Sequence, residues 1–203
     1  MARIKNDTLS GTLGNVTLSS RFGKPYIKSR PAKVYDPKTP TQLKQRGKFK
    51  AATEFVSQNL HQLIRPYWNP EARRQQMTGQ NLFNKLNIHA FDENGNPDLE
   101  QLKPVIGNLG GFENLELSFL SDDTIEISWT NNSRDKKTNA SNQLKVFGID
   151  QLYITTEILC NARRKDECCT LQANLIGLTR LFLFFWNDKL EICSKHEWGR
   201  VER

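Results

Sequence analysis

The chain has 203 residues, of which 37% are hydrophobic, and its net charge at neutral pH is +7. This length allows one or two domains with real cores, and the frequent Phe and Trp residues exclude disorder throughout. The longest apolar run, Leu181–Trp186, is too short to cross a bilayer, and no secretory signal opens the chain, so we expect a cytoplasmic or particle-associated protein without a membrane partner.

The positive charge belongs to the N-terminal part of the chain. Residues 1–80 hold 15 Lys/Arg and 4 Asp/Glu, a net charge of +11, whereas residues 81–203 hold 14 and 18, a net charge of −4. A basic segment of this kind is typical of contact with nucleic acid or with an acidic protein surface. Contact with the acidic part of a neighbouring copy, or a basic face that is simply solvated, explains the asymmetry as well.

Residues 1–35 have the glycine spacing of a β-hairpin. Gly11, Gly14 and Gly23 punctuate two short candidate strands, 13–20 and 25–29, and no phosphate-binding loop is present. The basic side chains of this segment suit an arm that docks on a partner, although a hairpin packed on its own helices explains them equally well. The candidate contact residues here are Arg21, Lys24, Lys28 and Arg30.

A helix is predicted to begin at Pro40 and to run to about Ile64, where Pro66 should stop it. Thr39 and Gln42 form a capping box around a proline at the first helical position. An apolar stripe recurs at helical spacing and comprises Phe49, Ala52, Val56, Leu60 and Leu63, widened by Phe55.

The first turns of this helix carry four cations: Lys44, Arg46, Lys48 and Lys50. Cations near a helix N-terminus oppose the macrodipole, and like charges four residues apart repel each other. A negatively charged partner explains this choice of residues, so we take these four as further candidates for binding a polyanion or a partner protein.

The segment that follows holds Tyr67 and Trp68 beside Arg73 and Arg74. Such aromatic residues can stack on a base, but we favour a place at the edge of the core. A second, shorter helix is predicted from Thr78 to about His89, with Leu82, Phe83 and Leu86 facing inward.

From residue 112 the apolar pattern changes to a period of two. Turn residues fill 92–111, which we interpret as a linker between a basic hairpin and helical region (1–91) and an all-β domain (112–203). Seven short candidate strands fit an immunoglobulin-like antiparallel β-sandwich. The predicted fold class is therefore α+β. The candidate strands are 115–119, 125–129, 144–149, 152–158, 170–175, 178–186 and 190–194, with Asn187-Asp188 as the last turn.

Chemistry-bearing residues form no recognisable motif. Four cysteines are present, and reduced thiols buried in strands are the interpretation we favour. A zinc site built from Cys168 or Cys169 with Cys193 and His196 is the alternative, but the second close ligand pair that such sites need is missing. The histidines and carboxylates form no catalytic arrangement, so we expect neither an enzyme nor a metal, cofactor or small-molecule substrate.

Two groups of residues resemble known proteins. The opening 1–6, the Gly11-x-x-Gly14-Asn15-Val16 turn, the Thr39-Pro40-x-Gln42-Leu43-x-x-Arg46-x-x-Phe49 helix and the Thr78-Gly79-x-Asn81 segment resemble an uncharacterised family of Bacteroidetes proteins that carries a domain of unknown function. The helix and the segment after it are also similar to short proteins encoded in phage and prophage regions. The resemblance implies a structural or particle-associated role and no catalytic residues.

Together these observations favour a non-catalytic structural or interaction protein, associated with a phage or mobile element, whose partner is another protein or a second copy. The alternative is sequence-independent nucleic-acid binding through residues 1–80, with phosphates contacted by the eight candidate cations.

Overall fold

The computed structural model describes residues 3–5, 8–33, 35–121, 123–172 and 175–200. The chain divides into two compact units, Met1–Leu43 and Lys44–Arg203, which we call unit 1 and unit 2. The helices and antiparallel β-sheets confirm the α+β class. No helix within the described ranges is both long enough and apolar enough to cross a lipid bilayer.

Unit 1 holds a four-stranded antiparallel sheet in which every strand pairs with the next one along the chain. The prediction of a two-stranded hairpin was too small, because residues 3–13 supply two further strands before the expected pair. The polar residues of this segment hid the alternation that marks a strand. The strands are β1 (Arg3–Lys5), β2 (Thr8–Leu13), β3 (Val16–Arg21) and β4 (Lys24–Ser29).

The first helix, α1 (Pro40–Gln58), begins where the sequence predicts. The Gln42 N–H donates to the Thr39 hydroxyl (3.4 Å), and the Thr39 N–H donates back to the Gln42 side chain (3.4 Å), which completes the capping box. Ala52 and Val56 are buried as expected, but Phe49 is 53% exposed. Phe49 precedes Ala51, the first buried residue of the helix, by two residues, so the apolar stripe reaches the core only from Ala51 onward.

The helical path continues past Pro66, which corrects the predicted stop. The Leu63 and Ile64 N–H groups both donate to the Asn59 carbonyl (3.0 and 3.1 Å), and from there a π-helix (Leu60–Trp68) leads into α2 (Asn69–Arg74). The wider π-turn accommodates the missing proline N–H. The buried side chains on both sides of Pro66 hold the segment against the core.

The second predicted helix is confirmed as α3 (Gly79–Asn87), which is followed by a 3₁₀ turn (Ile88–Ala90). The Thr78 hydroxyl accepts from the Asn81 N–H (3.2 Å) and caps its N-terminus. Leu82 and Phe83 are buried, as their spacing predicts.

The remainder of unit 2 consists of two antiparallel sheets. Their strands are β5 (Glu116–Ser121), β6 (Thr124–Ser128), β7 (Gln143–Asp150), β8 (Thr155–Ile158), β9 (Cys168–Gln172), β10 (Leu178–Asn187), β11 (Ile192–Cys193) and β12 (Glu197–Arg200). The larger sheet has five strands: β10 lies in the middle, β7 and then β8 lie on one side of it, and β11 and β12 lie on the other. The smaller sheet has three strands in the order β5-β6-β9.

The five-stranded sheet is the middle layer of unit 2. One of its faces packs Phe147, Phe182 and Phe184 against the helices, and the other packs Leu144, Leu181 and further apolar residues against the three-stranded sheet. Residues 181–187 of β10 are buried without interruption because both faces of this strand are covered. This burial explains the continuous apolar run in the sequence.

The boundaries that we predicted at 91 and 112 fall inside unit 2. Leu102, Val105 and Leu109, in the predicted linker, are buried, and the helices share their core with the five-stranded sheet. The turn residues of 92–111 hid these three apolar side chains.

Several strand limits also differ from prediction. β8 begins at Thr155, because residues 150–154 form a turn in which Asp150 accepts from the Leu152 and Ile154 N–H groups (both 2.9 Å). Four residues, 188–191, separate β10 from β11, and β12 was not predicted.

Candidate partner-binding faces

Two tight turns fix the register of the sheet in unit 1. Gly14 and Asn15 join β2 to β3, and Phe22 and Gly23 join β3 to β4. Phe22 and Gly23 have positive φ angles of 50° and 77°, as two-residue hairpin turns require. A positive φ is uncommon for a bulky residue such as Phe22. The Phe22 side chain lies at the tip of the hairpin and is 49% exposed.

One face of this sheet, the basic face, carries Arg21, Lys24 and Lys28. Arg21 pairs with Lys24 and Thr17 pairs with Lys28 across β3 and β4, so the three cations project from the same side. Tyr26 lies between the two lysines on that side and is 43% exposed. The direct Arg21–Lys24 pairing opposes like charges, which is unfavourable unless an anion lies nearby.

The opposite face of the same sheet is apolar. Leu13 pairs with Val16 and Leu18 pairs with Ile27, which places these four side chains together. Leu13 and Ile27 are 64% and 68% exposed, and none of the described side chains of residues 10–43 is buried. A small sheet gains stability when an apolar face is covered, so this face is a candidate for contact with a partner.

The outer strand β4 is protected against pairing with another strand. It carries Lys24, Pro25 and Lys28, and both lysine and proline discourage edge-to-edge addition. The edge formed by β4 is therefore not expected to add a strand from another chain. Arg30 lies just beyond β4, where its N–H donates to the Asn15 carbonyl (2.7 Å).

The four predicted cations of α1 have a different setting. Lys44 forms an ion pair with Glu93 (3.2 Å), and Lys50 forms one with Glu54 (3.7 Å). Arg46 is exposed and Lys48 is half-buried. Ion pairs within the chain thus account for Lys44 and Lys50 without an external anion, so the basic face of unit 1 is the stronger candidate.

Unit 2 exposes a face of opposite charge. Residues 104–133 contain five acidic residues and no basic one. On the three-stranded sheet, Ser118 pairs with Glu126, and Glu116 lies two residues before Ser118, so both glutamates project away from the core. Leu120 follows on the same strand and is 60% exposed. We call this surface the acidic face.

Tyr26 and the acidic face were not among the predicted contact residues. The alternation in residues 24–29, where lysines flank Tyr26 at two-residue spacing, signals the first. The absence of Lys and Arg between residues 104 and 133 signals the second.

The structure also bears on the base-stacking aromatic pair and on the zinc site that the sequence suggested as alternatives. Tyr67 and Trp68 lie in the core, and the Trp68 indole donates to the Pro104 carbonyl (2.7 Å), so they are not a base-stacking pair. Cys193 is buried on the helix side of the five-stranded sheet, whereas Cys169 packs on its other side. The described residues gather no group of three metal ligands.

None of the curated proteins compared with this chain matches it. Two fibronectin type III domains of known structure are similar to part of it. That of the human collagen alpha-1(XX) chain has 12% identity and a TM-score of 0.35, and covers 47% of this chain and 85% of its own. That of human contactin 1 has 10% identity and a TM-score of 0.32, and covers 48% of this chain and 82% of its own.

A family described as a family of unknown function, DUF6266, matches residues 8–148, more than two thirds of the chain. The chain therefore belongs to the DUF6266 family.

Proposed function

We propose that this protein is a non-catalytic assembly protein whose copies associate head to tail, with the basic face of one copy on the acidic face of the next. The observation that carries the proposal is the presence of two exposed sheet faces of opposite charge in one chain. Arg21, Lys24 and Lys28 lie on the first, and Glu116 and Glu126 lie on the second. Such a contact uses different surfaces on the two copies, so it propagates into a ring or a filament.

The contact is expected to be weak and sensitive to salt. Ion pairs between exposed side chains contribute about 0.2–1 kcal/mol each, and they are screened within about 10 Å at 0.1 M salt. The partly exposed Tyr26 and Leu120 would add apolar area on the two sides. Avidity between many copies then has to supply the strength of the assembly.

The same proposal assigns a role to each of the two units. The three-layer unit 2 acts as an immunoglobulin-like interaction module, and unit 1 acts as the arm that engages the neighbouring copy. The resemblance of the opening motifs to Bacteroidetes and phage-encoded proteins supports a cytoplasmic, particle-associated assembly.

Sedimentation velocity over a range of concentrations tests this proposal. At about 50 mM salt the sedimentation coefficient should rise with concentration, and at about 500 mM the rise should disappear. The triple variant Arg21→Gln/Lys24→Gln/Lys28→Gln should remain monomeric at low salt. The matched control Lys136→Gln/Lys137→Gln/Lys165→Gln removes the same charge from exposed positions of unit 2 and should associate like the parent protein. Equal association of both triple variants would refute the proposal.

Binding of single-stranded nucleic acid is the second candidate, and the position of Tyr26 favours it. An aromatic ring between two lysines on a sheet face can stack on a base while the cations contact phosphates. Fluorescence anisotropy with a labelled oligonucleotide should then show an affinity that falls steeply with salt. Tyr26→Ala should weaken binding by about tenfold if a base stacks there. An unchanged affinity in this variant, or no binding at low salt, would exclude this candidate.

A further inference from the structure

Two cysteines meet where the two sheets of unit 2 approach each other at their edges. Cys160 follows β8, the outer strand of the five-stranded sheet, and Cys169 lies in β9, the outer strand of the three-stranded sheet. Their Sγ atoms are 3.9 Å apart, and both thiols are free and partly buried. A disulfide needs about 2.05 Å, so a bond requires the sulfurs to approach by about 2 Å.

The surroundings of Cys160 favour its thiolate. Its sulfur is hydrogen-bonded to Cys169 and accepts from the Ala162 N–H (3.4 Å). The hydrogen bond to Cys169, together with that N–H and the nearby Lys145 ammonium, lowers the pKa of Cys160 to about 7. The same hydrogen bond raises the pKa of Cys169, and burial adds to the effect. The pair therefore releases one proton readily and holds the other, which is the arrangement of an attacking and a resolving thiol.

We propose that Cys160 and Cys169 form a reversible disulfide when the protein meets a hydroperoxide. The Cys160 thiolate attacks one peroxide oxygen and the O–O bond breaks, which gives a sulfenic acid and releases hydroxide that is protonated to water. The Cys169 sulfur then attacks the Cys160 sulfur, the S–O bond breaks, and a second water leaves. The two thiols lose two electrons and two protons, and hydrogen peroxide gains them as two molecules of water.

The other two cysteines are poorly placed for this reaction. Cys168 is exposed and precedes Cys169 on the strand, so it points to the opposite face of the sheet. Cys193 is 1% exposed on the helix side of the five-stranded sheet, and burial raises its pKa. The structure therefore selects one pair out of the six possible ones.

The bond would fasten the open edge of the two packed sheets. β8 and β9 belong to different sheets, and a cavity of about 580 Å³ lies beside them, lined by Ile158, Leu159 and Gln172 among others. A cross-link between Cys160 and Cys169 would join the chain just after β8 to β9 and close a short loop of the chain. Such a loop closure should raise the melting temperature by about 5 °C.

Peroxide titration of the fully reduced protein tests the proposal. A small excess of hydrogen peroxide should remove two of the four thiols that react with Ellman's reagent after denaturation. Peptide mapping should then show a linkage between residues 160 and 169, and dithiothreitol should reverse it. Cys169→Ser should leave a sulfenic acid at Cys160 that dimedone traps. Cys168→Ser should behave like the parent protein and serves as the matched control.

The rate of thiol loss should rise as the pH is raised through about 7, because the thiolate is the reacting form. A linkage that involves Cys168 or Cys193, or a dimedone adduct at Cys168 while residues 160 and 169 stay reduced, would overturn the proposal. Loss of two thiols in Cys168→Ser but not in Cys160→Ser would support it even if one variant is less stable.

Discussion

Replacing Arg164 by Met should destabilise unit 2 by about 3 kcal/mol. This arginine is fully buried, and its guanidinium lies 3.8 Å from the centre of the Phe185 ring. It donates to the carbonyls of Gly110 (2.7 Å) and Gly111 (3.1 Å) and to the side chain of Asn132. One side chain thus joins three loops at one end of the two packed sheets.

The expected loss of stability comes from the interactions of the guanidinium that methionine cannot make. Three acceptors lose a charged donor, and each costs about 1–3 kcal/mol where water cannot replace it; the half-buried positions of Gly110, Gly111 and Asn132 place them near the lower limit. The cation–π contact adds about 1 kcal/mol. Removing a buried charge returns part of this, since burial lowers the pKa of Arg164 to about 10 and so disfavours the charged form.

Urea denaturation followed by tryptophan fluorescence measures the effect. Trp129 is a local reporter, because its indole donates to the Arg164 carbonyl (2.8 Å). The control is Lys165→Met, which removes a cation at the next, exposed position and should change stability by less than about 0.5 kcal/mol. If Arg164→Met were as stable as Lys165→Met, the buried guanidinium would not hold the loops together.

Three further predictions concern unit 2. Burial lowers the pKa of His196 to about 4, below its unfolded value, so its stabilising effect is complete above about pH 6.5 and falls by about 2 kcal/mol between pH 6.5 and pH 5; urea titrations of His196→Asn should lack this part of the pH dependence. Asn59→Ala should cost about 3 kcal/mol in denaturant titrations, because the buried amide oxygen accepts from the N–H (2.7 Å) and the hydroxyl (2.8 Å) of Thr155. Gly107→Ala should lower the melting temperature by about 5 °C or more, because the added Cβ would clash with the Cys193 carbonyl group and the backbone must move.

The predictions for Asn59 and Gly107 each have a matched control. Gln58→Ala changes an exposed amide one residue before Asn59 and should be nearly neutral. Gly111→Ala adds a methyl group that meets no atom within 4 Å and should lower the melting temperature far less than Gly107→Ala. An unchanged pH dependence in His196→Asn would show that other groups cause the loss of stability in acid.

Local signals in the sequence predicted the helix starts well. The capping box at Thr39 and the cap at Thr78 are satisfied by neighbouring residues, so they depend little on the rest of the fold. The alternation in β6 and the apolar run in β10 likewise marked strands. The division into units was not predictable in this way, because the burial of Leu102 and Val105 depends on a sheet that is completed some 80 residues later.

The candidate faces were predictable in part. Arg21, Lys24 and Lys28 were selected for their charge, but only the register of β3 with β4 shows that they share a face with Tyr26. The meeting of Cys160 with Cys169 depends on two strands of different sheets, and their sequence spacing carries no sign of it. Glu93 lies 49 residues from Lys44 along the chain, so the local sequence gave no sign of this ion pair. Because the pair accounts for Lys44, the unfavourable position of this cation near the helix N-terminus no longer requires an external anion.

A charge-swap measurement tests head-to-tail assembly most directly. Arg21→Glu/Lys24→Glu/Lys28→Glu makes the basic face acidic, and Glu116→Arg/Glu126→Arg makes the acidic face basic. Each variant alone should be monomeric in sedimentation velocity at low salt, because both of its faces then carry the same charge. An equimolar mixture should associate again, with the two variants alternating through the reversed contact and the original one. A mixture that stays monomeric while the parent protein associates would contradict the assignment of these faces, and so would association of either variant alone.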